Sequence, residues 1–134
     1  MNFFHEIEQS VEQVPVTNTH SRTIAFGEIV LLGGYVGTGA EHDGIANGAI
    51  GTLAINSNRK IQTPQVNDAD LPVFGAPVYL AENTGAVPGV LQATGGTGTV
   101  YVGTCTKVSA AAGDYDAFIE FKPAPQDGLA VLAS

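Results

Sequence analysis

Apolar and polar residues alternate along most of this chain, in short runs separated by glycine, proline and polar clusters. The clearest case is Thr99–Phe121, where two runs with a period of two flank the segment Ser109–Asp114. A period of two is typical of a β-strand, and the pair Gly113-Asp114 favours chain reversal. The pattern therefore predicts a β-hairpin that closes a small β domain.

The lone cysteine, Cys105, lies in the first strand of this predicted hairpin, in phase with Tyr101 and Gly103. A single cysteine forms no intramolecular disulfide. Because its strand lines the predicted core, we expect the thiol to be packed and unreactive.

The same pattern predicts about eight short strands at intervals of roughly ten residues. Strand-like runs occur in residues 22–32 with a bend at Gly27, and in residues 49–55, 59–63, 71–80 and 87–93. Only the turn Asn56–Asn58 separates the second and third of these runs, so we expect them to form a hairpin. The predicted fold class is all-β, a small sandwich or a partly closed barrel.

Residues 2–14 form the only segment with helical period, which predicts an N-terminal arm or a short helix before the strands. Pro15 ends any helix, and Val14–Val16 is predicted to be extended. We divide the chain into an arm (1–20), a β domain (21–123) and a C-terminal tail (124–134). The tail carries a small apolar patch, Leu129–Leu132, which we expect to dock weakly or not at all.

The charge balance is acidic, with thirteen Asp and Glu residues against five Lys and Arg residues and a formal net charge of −8. Proteins that neutralise nucleic-acid phosphates cluster basic residues, so a nucleic-acid partner is not expected. The chain also has no apolar run near the ~20 residues that span a bilayer, and no basic start followed by an apolar run. We therefore expect no membrane partner, and synthesis and folding in a cytoplasm.

Side chains with catalytic or metal-binding chemistry are scattered. His5, His20 and His42 lack the spacing of a zinc site, and the cluster Glu41–Asp43 is too short for a calcium loop. The glycine-rich stretches lack the pattern of phosphate-binding loops, and no serine lies in a G-x-S-x-G context. The sequence predicts no enzyme, no cofactor and no bound metal.

Four phrases with strand-and-turn character occur in a fixed order over residues 22–122, about three quarters of the chain. They are FGEIVLLGGYVGTG (Phe26–Gly39), NGAIGTLAINSNRKI (Asn47–Ile61), FGAPVYLAENTGAV (Phe74–Val87) and TVYVGTCTKVSAAAGDYDAFIEF (Thr99–Phe121). Their most distinctive parts are G-E-I-V at Gly27–Val30, G-A-P-V-Y at Gly75–Tyr79, and the run Gly103–Asp114. In this order they resemble the capsid decoration, or cement, proteins of tailed bacteriophages.

The resemblance implies a structural virion protein that binds the outer surface of the phage head and clamps neighbouring major capsid subunits. It also implies a homotrimer, which three-fold lattice points would match in symmetry. The chain departs from the family pattern in its longer arm. A receptor-binding or glycan-binding β module of a tail or fibre is the alternative, and an unrecognised small enzyme is a further one.

Large apolar side chains on a terminal arm are expected to need a partner. An extended arm can add a strand to a sheet edge of that partner while its anchors fill a pocket. Deleting residues 2–14 is therefore expected to leave a folded β domain that binds capsids weakly. The candidate capsid contacts are Phe3, Phe4, Ile7, Val11, Val14 and Val16.

Overall fold

A computed structural model describes residues 12–126, and this part of the chain is all-β, with nine strands. Residues 1–11 and 127–134 lie outside the described residues, and with them four candidate contacts (Phe3, Phe4, Ile7, Val11) and the apolar patch Leu129–Leu132. The strands are β1 (Glu12–Thr17), β2 (Ile29–Leu32), β3 (Tyr35–Gly39), β4 (Ile50–Ile55), β5 (Ile61–Thr63), β6 (Pro77–Ala81), β7 (Val90–Gln92), β8 (Thr99–Ser109) and β9 (Phe118–Pro123).

The strands form two antiparallel sheets, consistent with a small β sandwich. Sheet one has the order β1-β4-β3-β2, and sheet two has the order β5-β9-β8-β6-β7. The prediction of an all-β fold class is confirmed.

The hairpin predicted at residues 99–121 is present as β8 and β9, which pair antiparallel, and Gly113 between them has a positive φ of 58°. The predicted phase of Cys105 needs a correction, because the strand changes phase at Gly103. Val102 and Cys105 both face the core with two residues between them, and the pairing of β8 with β6 skips Val102, between Tyr101 and Gly103. A bulge thus brings Cys105 inward on the side opposite to exposed Tyr101.

The predicted hairpin between residues 49–55 and 59–63 is wrong. The chain turns at Asn56, which has a left-handed φ of 54°, and leaves sheet one. As a result β5 pairs with β9 in sheet two, with Ile61 opposite Phe121, and has no pairing with β4. The 56–60 connection is therefore a crossover between the two layers.

Two apolar clusters lie on opposite faces of sheet one. Ile29 faces sheet two and belongs to the larger cluster, whereas its neighbour Val30 belongs to the smaller cluster. This split follows from the alternation of side chains along a strand. Sheet two and the loops bridged by Ile24 and Ile45 therefore cover sheet one from its two sides.

Residues 12–17, assigned to the arm from sequence, form an edge strand of sheet one. β1 pairs with β4 along its whole length, from Glu12 opposite Ile55 to Thr17 opposite Ile50. The helical period assigned to residues 2–14 therefore does not hold for Glu12–Val14. Tertiary pairing decides the structure here, since local propensity is a weak prior.

Candidate interaction surface

The outer edge of β2 is sealed by side chains. The side-chain amide of Gln65 accepts a hydrogen bond from Ile29 N at 2.8 Å and donates one to Ile29 O at 2.7 Å. Two residues further along the strand, Leu31 N donates to Glu82 Oε2 at 2.6 Å, and Leu31 O lies 3.2 Å from His20 Nε2. No backbone group of Ile29 or Leu31 on this edge remains for a partner strand.

Among the strands of residues 12–126, none pairs with the outer edge of β1, and Pro15 interrupts this edge. Asn18 N donates to Ala49 O, so the backbone N–H and C=O groups of the even-numbered residues in β1 point towards β4. Gln13, Pro15 and Thr17 therefore point their backbone groups outward. Pro15 has no N–H, which removes the central donor that an added strand would need.

Two exposed phenylalanines lie at the tips of two turns of the same type. Phe26 and Phe74 are 65% and 76% exposed, and each is followed by a glycine with φ of +83°. In both turns the N–H of the fourth residue bonds the carbonyl of the first, at 3.0 Å, as in a type II turn. The strands β2 and β6 begin directly after these turns. Large aromatic side chains presented in this way are contact candidates.

A buried charged cluster joins the two layers near the end of β6. Arg22 lies 2.6 Å from Glu28 and 3.7 Å from Glu82, and the three side chains are at most 7% exposed. Arg22 also donates to the carbonyl groups of Asn83 and Gly85. The carboxylates are bound to backbone N–H groups as well, which fits a structural ion-pair cluster.

A cleft of about 150 Å³ opens between the sheets, at the point where the chain leaves sheet one after β4. Its apolar lining comes from both layers and from the segment that follows β9. The lining side chains include Ile29, Val36, Ile55, Ile61, Val102 and Phe121.

Gln126 closes one side of this cleft through four hydrogen bonds. Its side-chain amide accepts from Val36 N at 2.9 Å and donates to Val36 O at 2.5 Å. Its backbone N and O bond the side chain of Asn56 at 2.6 and 3.0 Å. Because β4 turns away at Asn56, Val36 has no strand partner on this side, and Gln126 takes that place. We call this arrangement the Gln126 pin.

Two of the predicted contact residues can be placed. Val16 is 5% exposed and belongs to the smaller apolar cluster, and Val14 packs against the same cluster. The structure thus gives Val16 a core position, because its side chain faces the covered side of sheet one. Sequence reasoning missed the exposed Phe26 and Phe74, although each stands before a turn glycine.

Among residues 12–126, no group of three or more His, Cys, Asp or Glu side chains is arranged to hold a metal ion. Within the same range no helix is long and apolar enough to cross a membrane. Cys105 is 1% exposed, as expected for a packed thiol, and burial raises its pKa. A higher pKa lowers the thiolate fraction and with it the reactivity.

Comparisons with protein families, with curated proteins and with solved structures find no match to this chain.

Proposed function

We propose that this chain is a structural virion protein that binds the outer surface of a phage head and stabilises the capsid by clamping neighbouring major capsid subunits. The observation that carries the proposal is the ordered set of four phrases that resemble capsid decoration proteins. In the fold, G-E-I-V and G-A-P-V-Y fall on matching units, each a turn with an exposed phenylalanine followed by a strand that enters the sandwich. The last phrase forms the long β8/β9 hairpin.

The exposed turn phenylalanines are contacts of the kind that a clamp requires. Burying one such side chain contributes about 1.5–3 kcal/mol. In a homotrimer each contact is repeated three times, and linked contacts add through effective concentration. A protein that binds only the assembled lattice then stabilises it by mass action.

The charge distribution supports an outer position on the particle. Of the five basic residues, Arg22 is buried against two glutamates, and Lys60 lies 3.8 Å from Glu120. The other four basic residues are exposed, and the thirteen acidic residues of the chain outnumber the basic ones to give the net charge of −8. Such a surface keeps a densely coated particle soluble and does not compete for packaged DNA.

The position of β1 changes how the arm is tested. Since Glu12–Thr17 pairs with β4, a deletion of residues 2–14 would remove half of an edge strand, and the informative deletion is residues 2–11. Pro15 also makes β1 a poor template for an added strand. The proposed head contacts are therefore the segment before Glu12 together with the turns at Phe26 and Phe74.

The test is co-sedimentation of the purified protein with emptied, expanded heads of a phage that encodes it, with unexpanded heads alongside. We expect saturable binding that is weakened at least tenfold by Phe26→Ser with Phe74→Ser, and also by deletion of residues 2–11. Thr23→Ser, an exposed change near the first turn, is the matched control and should bind normally. Absence of binding to either form of head, together with retention on a glycan array, would overturn the proposal in favour of a glycan-binding module.

A further inference from the structure

A separate groove lies on the outer face of sheet two, which carries the side chains of Tyr101, Thr104 and Lys122. Its volume is about 360 Å³. Pockets that bind small molecules have volumes of roughly 300–1,000 Å³, so the groove is large enough for a ligand of one or two sugar rings. We propose that this groove, called here the Tyr101 groove, binds a saccharide that carries a carboxylate group.

Three different chemical groups converge in the Tyr101 groove. Thr104 and Lys122 are directly opposite each other in the β8/β9 pair, and the Cβ atoms of such a pair lie about 5 Å apart. The hydroxyl oxygen of Tyr101 lies 3.4 Å from the hydroxyl oxygen of Thr104. An aromatic ring, a hydroxyl group and an ammonium group are therefore within reach of one sugar residue.

The ring of Tyr101 is exposed, and its neighbour fixes its orientation. Tyr101 is 48% exposed, and its ring centroid lies 6.0 Å from that of Tyr79 in an edge-to-face arrangement. Tyr79 is packed in turn by the backbone of Gly95, where a Cβ would come within 2.8 Å of the Tyr79 ring. The negative face of an aromatic ring attracts C–H groups, which a sugar ring presents on one of its faces. Tyr101 therefore offers a preorganised platform for a sugar ring.

The charge in the groove favours an anionic ligand. Lys122 is the one charged residue among the described residues that line it. An ammonium group has three N–H donors, and Lys122 uses one of them for the carbonyl group of Asn58, so two remain to bind a carboxylate. Glu120 lies on the same face of β9, but its carboxylate accepts from Thr106 Oγ1 at 2.9 Å and lies 3.8 Å from Lys60. The carboxylate of a ligand would therefore meet Lys122 and not an unpaired acidic group.

The groove suits a saccharide better than an acidic peptide. It lies over the face of β8, which is paired on both sides, so an extended peptide finds no strand edge there to extend. Pro123 and Pro125, which form one wall, have no N–H to offer to a peptide carbonyl group. The hydroxyl groups of Ser57 and Thr104 in the lining are suitable partners for sugar hydroxyl groups. These residues differ from the proposed head contacts, so this inference does not depend on the proposed function.

NMR titration of the nitrogen-15-labelled full chain tests the proposal. The probes are oligosaccharides that contain glucuronate, galacturonate or sialic acid, and the matched control for each is the same oligosaccharide with its carboxylates reduced to alcohols. We expect saturable shifts of the Thr104 and Lys122 amides with at least one acidic probe, and an affinity at least about threefold lower for its reduced form. Absence of saturable shifts with all three probes, or equal affinity for the two forms, would overturn the proposal. Tighter binding of a tetraglutamate peptide at the same amides would assign the groove to an acidic peptide and refute it.

Variants of the groove separate the roles of the ring and the charge. Tyr101→Ala should weaken binding of the acidic probe at least about tenfold, whereas Tyr115→Ala removes a tyrosine that is 81% exposed elsewhere and should bind normally. Tyr101→Phe keeps the ring and should retain binding, which distinguishes loss of the platform from a change in folding. Lys122→Gln should abolish the preference for the acidic over the reduced form and leave the affinity for the reduced form unchanged. If Tyr101→Ala binds like the unmodified protein, or Lys122→Gln keeps the preference, the proposal is wrong.

Discussion

Replacing Gln65 with alanine tests whether side chains seal the edge of sheet one. The Gln65 amide accepts from Ile29 N and donates to Ile29 O at 2.7 Å and to Gly89 O at 3.1 Å. It therefore joins an edge strand of one sheet to the loop before β7 of the other. The alanine variant removes all of these bonds at once.

The expected loss of stability follows from the burial of Ile29, which is 2% exposed. An N–H left unpaired at such a site costs about 1–3 kcal/mol. The carbonyl groups of Ile29 and Gly89 lose a donor as well, and both residues are buried. We expect a total of about 2–4 kcal/mol, a large share of the ~5–15 kcal/mol typical of a single domain.

The measurement is urea unfolding followed by circular dichroism and tyrosine fluorescence, since the chain has no tryptophan. The unfolding midpoint should fall by about 1–2 M urea at unchanged slope. The amide of Ile29 should also exchange faster with solvent. Gln62→Ala removes the same side chain from an exposed position of β5 and should change stability by less than ~0.5 kcal/mol. If Gln65→Ala behaves like this control, the side-chain seal does not stabilise the edge and the reasoning fails.

Three further predictions concern buried groups. Arg22→Met should lower the free energy of unfolding by about 3–5 kcal/mol, because two buried carboxylates lose their counter-charge. The control Lys60→Met, at an exposed ion pair, should lower it by less than ~1 kcal/mol. Comparable losses of the two variants in urea unfolding would contradict this prediction. Gly103→Ala should destabilise the protein by at least ~2 kcal/mol, because a Cβ there would lie 2.1 Å from the carbonyl oxygen of Lys122 on the opposite strand. The control Gly96→Ala places its Cβ in open space and should be nearly neutral in the same assay. Cys105 should react with a thiol reagent at neutral pH only after unfolding, since burial raises its pKa, and fast stoichiometric labelling of the folded protein would show that the thiol is accessible.

The local features of this chain follow from its sequence. The β8/β9 hairpin was predicted from a period of two on each side of Gly113. The strand-like run 87–93 contains β7, which pairs with the preceding strand β6. Both pairs are close in sequence, so alternation and turn residues are enough to specify them. The all-β class follows from the same signals.

The partners of distant strands were decided by tertiary structure. In the sequence β5 follows β4 after a short turn, which favours pairing between these two strands. In the structure β5 pairs with β9 instead, and this lets Ile61 pack on the larger apolar cluster. Similarly, the phase of Cys105 depends on a bulge at Val102 that no alternation pattern contains. A strand edge is compatible with many partners, and burial over the whole fold selects among them.

The candidate surfaces show the same division between local and tertiary information. The turn glycines after Phe26 and Phe74 are visible in the sequence, and they fix where these aromatic side chains are presented. The cleft is not visible there, because its walls come from both sheets and from a proline-rich segment. Gln126 acquires its role only because β4 turns away at Asn56 and leaves the N–H and C=O of Val36 without a strand partner. The sequence by itself determined most of the strands and turns, whereas the packing of the two sheets determined the pairing of β1 and β5 and which backbone groups and apolar side chains stay exposed.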